Sequence, residues 1–242
     1  MFKLFKAEYY KLPKSSVFTL IILSVIIAEI IATGLFFYNI KFSNTTPTVN
    51  IYLIYCISWF TPVFYLLFGV LTSYILSTEY ENNMWSVLLV SDQNKVRVVF
   101  NKYIVALILS IVIIIVFAIV HMIFSMLIVG HLPNLISYLY ILVSFLIGSL
   151  AMQSIQFFLG LAIPNRVYII GVSLVISILY ILVQSYWIPF KIPEHLINSK
   201  NILNTNRITM FDVGFIIYSI YSLLVFLFIN ALTCLYTKRK DF

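Results

Sequence analysis

Along this chain apolar residues run in long blocks separated by short polar stretches, with none of the two-residue alternation that marks a half-buried strand. Six blocks stand out, at 17–38, 52–76, 103–129, 135–163, 167–188 and 213–236. A hydrocarbon layer of about 30 Å takes roughly 20 helical residues to cross, so each block predicts a membrane span. Lipid offers backbone N–H and C=O groups no water to bond, which leaves helices or a closed barrel, and a barrel needs the alternation that is missing. The predicted fold is all-α: a polytopic bundle of six transmembrane helices forming one domain over residues 1–242.

Two shorter patterns flank the spans. On a helical wheel Phe2, Phe5, Tyr9 and Leu12 fall on one arc and Lys3, Lys6, Lys11 and Lys14 on the other, predicting an interfacial amphipathic helix that leads into the first span. The connection after the second span reads Glu-Tyr-Glu-Asn-Asn-Met-Trp-Ser-Val-Leu-Leu from Glu79 to Leu89. Trp85, Leu88 and Leu89 recur at i, i+3 and i+4, an apolar ridge on a short helix that would dock into a groove on another protein. Glu79 and Glu81 precede it, where a helix dipole favours negative charge. An interfacial helix lying flat on lipid headgroups is the alternative reading of this segment.

Composition agrees with the pattern: 62% of residues are hydrophobic and 10% charged, against about 25% charged in soluble domains, so a soluble fold is excluded. Charge then orients the bundle. With a cytoplasmic N-terminus, eleven of the fifteen Lys and Arg residues fall on the inner side, including Lys95, Arg97, Lys102, Arg166 and Lys238; by the positive-inside rule both termini face the cytoplasm. The net charge of +7 thus belongs mostly to the surface that meets anionic lipid headgroups. The cations sit at helix ends and form no single stripe, so no nucleic-acid partner is expected. The first block follows Lys14, is too long for a signal-peptide core and lacks a small-residue cleavage site, so the first helix is expected to stay in the mature protein. Cys56 and Cys234 are expected on opposite membrane sides, hence unbridged.

Nucleotide and metal motifs are missing. No G-x-x-x-x-G-K-[ST] phosphate cradle, H-E-x-x-H, Cys/His cluster or G-x-S-x-G turn occurs in the sequence. No catalytic residue, metal site or cofactor is assigned, and the chain is not expected to be an enzyme by itself. Energy for any driven process must come from a partner or an ion gradient.

Lys-Ala-Glu-Tyr-Tyr-Lys-Leu near the N-terminus, six spans, and Glu-Tyr-Glu-Asn-Asn-Met-Trp followed by Leu-Leu and a basic stretch together resemble the ABC-2 type ABC-transporter permeases. More narrowly, size and layout are similar to the lantibiotic and bacteriocin immunity permeases and related peptide exporters of Gram-positive bacteria. Family members commonly carry Gly-Thr where this chain has Asn83-Met84. The resemblance implies a permease of the bacterial cytoplasmic membrane that exports hydrophobic or amphipathic peptides. It also implies a second permease, identical or paralogous, and a separate ATPase subunit that holds ATP and Mg. The segment after the second span would be the coupling helix, placing Glu79, Glu81, Trp85, Leu88 and Leu89 on the ATPase.

Polar residues inside the spans are the remaining candidates. Glu29 lies midway along the first block, where a bare carboxylate costs several kcal/mol; an interhelical bond and a role in a substrate path are both open. An ion-coupled secondary transporter using Glu29, and a scaffold or sensor that transports nothing, are the rival functions. Gln153 and Gln156 in the fourth span, Gln184 in the fifth and Asn230 in the sixth are expected to bond between helices. His121 reads as a satisfied core histidine. Pro62 and Pro164 should kink or end helices. Ala28 with Ala32, and Ser144 with Gly148, are small-residue pairs that permit close helix approach.

Overall fold

The computed structural model describes residues 14–43, 48–81, 95–132, 135–163, 165–183, 189–193 and 213–239. Among them are six α-helices: α1 (Lys14–Ser43), α2 (Val49–Glu81), α3 (Lys95–Ile128), α4 (Leu135–Ala162), α5 (Arg166–Leu182) and α6 (Val213–Arg239), with a 3-10 turn at Pro189–Lys191. The all-α expectation holds. Five of the helices, all but α5, are long and apolar enough to cross a membrane.

Burial follows the logic of a bilayer. On α1 the buried positions Val17, Ile21, Val25, Ala28, Ala32 and Phe36 recur every three or four residues, while Ile22, Ile27, Ile30, Ile31 and Phe37 are exposed. Both faces are apolar, with Ile and Phe on each, and the inner one is marked by two alanines and the buried Glu29. Such a helix has a stable outer face only against hydrocarbon.

α2 is the central helix, with α1, α3, α4 and α5 packed around it. An aromatic seam joins α2, α3 and α4: the Phe60 ring stacks on Phe117 at 4.0 Å, and Phe145 meets both Phe60 at 5.3 Å and Phe64 at 5.1 Å. α5 lies closest to α2. A Cβ on Gly69 would overlap the side chain of Ser173, whose Cα stands 3.6 Å from that position, so only glycine admits this approach. Pro62 does not terminate α2, which continues unbroken to Glu81. Its carbonyl accepts a hydrogen bond from Ser177 Oγ of α5 at 2.7 Å. The contacts Tyr74–Arg166, Gly69–Ser173 and Pro62–Ser177 run in opposite chain order, so α5 is antiparallel to α2. By the same reasoning Tyr140–Phe215 and Phe158–Tyr236 make α6 parallel to α4.

α5 corrects the sequence expectation. The apolar block was predicted to span 167–188, but the helix ends at Leu182 after 17 residues, with Val183 in extended backbone (φ −97, ψ 123). At 1.5 Å per residue that is about 26 Å, short of the full hydrocarbon thickness. Residues 184–188 lie outside the described residues, and Pro189 opens a 3-10 turn. The turn folds back on the bundle: Lys191 Nζ sits 4.0 Å over the Tyr180 ring, and Ile192 is buried beside Ala151. At its other end α5 is capped by Asn165, whose side chain accepts from the Val167 N–H at 2.9 Å.

The predicted amphipathic helix over the first residues and the predicted coupling helix with Trp85, Leu88 and Leu89 lie outside the described residues. Glu79 and Glu81 belong to the last turn of α2, and the helix they were expected to precede lies outside the described residues. Lys102, grouped with the surface cations above, is buried, and its Nζ donates to the Ile75 carbonyl of α2 at 3.3 Å.

Candidate functional site

Glu29 decides where the polar centre of the bundle lies. It stands at the midpoint of α1 and is 1% exposed, on the face turned toward α2 and α3. A carboxylate so placed must find donors, since an unpaired charge in a low-dielectric interior is far costlier than any packing gain. Three side chains supply contacts. Tyr52 Oη and Cys56 Sγ, one helical turn apart on α2, both donate to Glu29 Oε2 at 3.1 Å. His121 Nδ1 on α3 meets Oε1 at 3.1 Å. Thr33 adds an outer layer, its Oγ1 2.7 Å from the Glu29 carbonyl and 2.9 Å from Tyr52 Oη.

The imidazole is held by aromatic rings. It stacks on Tyr52 at 5.3 Å and Tyr138 at 5.7 Å, each within 19° of parallel, and on Phe117 at 5.7 Å. Tyr138 is fixed in turn by donating to the Ala118 carbonyl at 3.0 Å. The cluster therefore ties α1, α2, α3 and α4 together at one depth. Either His121 Nδ1–H donates to the Glu29 carboxylate or a protonated Glu29 donates to Nδ1. Among the described residues His121 Nε2 has no partner, so the histidine is buried as expected but only half satisfied.

Donor atoms of Glu29, Cys56 and His121 all lie within 4.8 Å of one another. Carboxylate, thiol and imidazole at that separation can share protons or ligate a metal ion. The sequence reading found Glu29 but missed this convergence. Cys56 near the start of the second span and His121 in the later half of the third fall toward one side of the predicted topology, a signal that could have paired them.

The amide candidates divide differently. Gln153 Oε1 accepts from Ser110 of α3 at 3.1 Å while its Nε2 donates to Ser149 at 2.8 Å. Gln156 Nε2 donates to the Tyr65 carbonyl of α2 at 3.0 Å, leaving its Oε1 without a partner. Both amides join helices. Asn230 bonds the Phe226 carbonyl of its own helix at 2.8 Å. Gln184 lies outside the described residues. Of the small-residue pairs, Gly148 marks a close approach, since Ser222 Oγ of α6 reaches the carbonyls of Ile147 at 2.7 Å and Gly148 at 3.3 Å.

A family model described as ABC-2 family transporter protein matches residues 4–192, which takes in α1 to α5 and the 3-10 turn. The chain belongs to the ABC-2 family. No curated protein and no solved structure matches it. ABC-2 permeases are membrane transport components, generally without catalysis of their own, and as a family they work with an ABC ATPase. The multi-helix apolar bundle is the transport part of such an assembly. α6 lies beyond the matched residues and joins the ABC-2 core through α4 and α3.

Proposed function

We propose that this ABC-2 protein is the permease half of an exporter that moves hydrophobic or amphipathic peptides across a bacterial cytoplasmic membrane. A separate ATPase subunit with ATP and Mg drives it, and a second permease, identical or paralogous, completes the path. The observation that carries the reading is the ABC-2 match over residues 4–192. Two features support the peptide class. The outer faces of the helices are broad and aliphatic, and an open apolar groove of about 620 Å³ between α4 and α5 is lined by Met152, Leu159, Val172, Val175 and Ile176. A substrate that partitions into lipid reaches such a groove laterally. Lantibiotic or bacteriocin immunity is the physiological setting favoured by the sequence resemblance.

In this reading both termini are cytoplasmic, and the segment following Glu81 carries force from the ATPase through Trp85, Leu88 and Leu89. ATP-driven closure of the ATPase dimer swings the helix bundles as rigid bodies, switching the side to which the path opens. Glu79 and Glu81, on the last turn of α2, stand where that segment joins the long central helix. The test is purification in mild detergent with the ATPase, followed by substitution of Trp85→Ala with Leu88→Asp. The double variant should insert normally and lose substrate-stimulated ATPase activity. Unchanged stimulation would remove the docking role, and transport by the purified chain with no ATPase present would remove the whole reading.

The Glu29–His121 contact favours one second reading, an ion-coupled transporter that cycles a proton through this pair. An uncoupler separates the two: transport abolished with ATP intact supports ion coupling, whereas transport that follows ATP supports the exporter.

A further inference from the structure

The polar cluster asks for more than hydrogen bonding explains. Three residue types with complementary ligand atoms, carboxylate, thiol and imidazole, come from three helices and converge beside the Tyr52, Phe117 and Tyr138 rings. All three are 0–1% exposed. We propose that Glu29, Cys56 and His121 form a zinc site that clamps α1, α2 and α3 together.

Geometry fits this ion. Zinc binds sulfur at about 2.3 Å and nitrogen or oxygen at about 2.0–2.2 Å in a tetrahedron, which separates its ligand atoms by roughly 3.3–3.6 Å. Here the carboxylate stands 3.1 Å from both the thiol and the imidazole, and the widest separation in the set is under 4.8 Å. Closing that widest separation converts the hydrogen-bonded trio into three ligands of a coordination shell. The donors also select the ion. A thiolate with an imidazole suits zinc and not the hard cations magnesium and calcium, which take oxygen.

Charge is compatible as well: a thiolate and a carboxylate together balance one Zn²⁺, the condition a low-dielectric core imposes. Entry is short, because Cys56 lies only seven residues, about 10 Å, from the start of α2 at Val49.

The experiment uses the full chain in detergent micelles or nanodiscs, with Co²⁺ as the spectroscopic stand-in. Cobalt should produce a thiolate-to-metal charge-transfer band that saturates at one ion per chain and is abolished by equimolar Zn²⁺. Zinc should raise the Tm. Cys56→Ser should abolish the band and the Tm shift, His121→Gln should weaken zinc binding at least tenfold, and Cys234→Ser should change neither. Absence of a thiolate band in the folded wild-type chain overturns the proposal without reference to any variant. Zinc binding that persists in Cys56→Ser and disappears in Cys234→Ser overturns it as well.

Discussion

Glu29 and His121, 92 residues apart in the chain, meet at 3.1 Å with neither side chain reached by solvent. The pair fixes the angle between α1 and α3 around α2, because both partners must keep their geometry or leave a polar group stranded in an apolar interior. Removing one partner of a buried pair typically costs about 3–5 kcal/mol. Replacing both by apolar residues removes the pair together, and Tyr52 keeps Thr33 as a partner. Glu29→Leu and His121→Leu should therefore each lower the Tm of the purified chain sharply, while the double variant recovers much of the loss. Strictly additive losses would show that the contact contributes no coupling.

Gly69 carries a steric prediction. Alanine there would drive its Cβ into the Ser173 side chain, and overpacking of this kind costs about 1–3 kcal/mol. The obstruction is a side chain, so it can be deleted from the other helix. Gly69→Ala should destabilise the bundle, and adding Ser173→Gly should restore it in part, measured by thermal aggregation in detergent. A neutral Gly69→Ala would place α5 farther from α2 than the structure has it.

These two contacts show what was legible in the sequence and what was not. Length and hydropathy located the helices, because lipid imposes a minimum apolar run that few other structures share. Glu29 stood out for the same reason, as a carboxylate where charge is expensive. Its partners did not stand out: Cys56 and His121 are ordinary core residues until helix packing sets them beside it, and no local spacing encodes a contact across 27 or 92 residues. The end of α5 was misjudged because Tyr186, Trp187 and Ile188 raise hydropathy whether or not they are helical. Gly69 shows the same limit, since nothing in its neighbours announces that Ser173 will face it.

Gln156 separates glue from pathway. Its Nε2 bonds the Tyr65 carbonyl at 3.0 Å, but its Oε1 is buried without a partner. Interhelical bonds of this kind in membranes contribute about 0.6 kcal/mol on average, and Gln156→Met removes the orphan acceptor along with the bond. The substitution should change stability by less than about 1 kcal/mol and leave stimulated ATPase activity intact. Loss of stimulation at unchanged Tm would place Gln156 in the substrate path.

Orientation is the premise that links the bundle to an ATPase, and it is open to direct test. α5 runs back along α2, and α6 lies parallel to α4, so the chain returns across the bundle between Ala162 and Val213 even though α5 has only 17 residues. With the positive-inside bias, this puts Thr48 and Leu132 on the outer surface and Arg97 and Arg239 on the inner one. Single cysteines at these four positions, in a background of Cys56→Ser and Cys234→Ser, should divide cleanly under a membrane-impermeant maleimide. Thr48→Cys and Leu132→Cys should label in intact cells, whereas Arg97→Cys and Arg239→Cys should label only after permeabilisation. The inverse pattern would put the segment after Glu81 outside the cell, where no ATP-driven partner could grip Trp85, Leu88 and Leu89. Labelling of Arg239→Cys from outside, with the other three as expected, would show that α5 enters the membrane and turns back, which the parallel packing of α6 on α4 forbids.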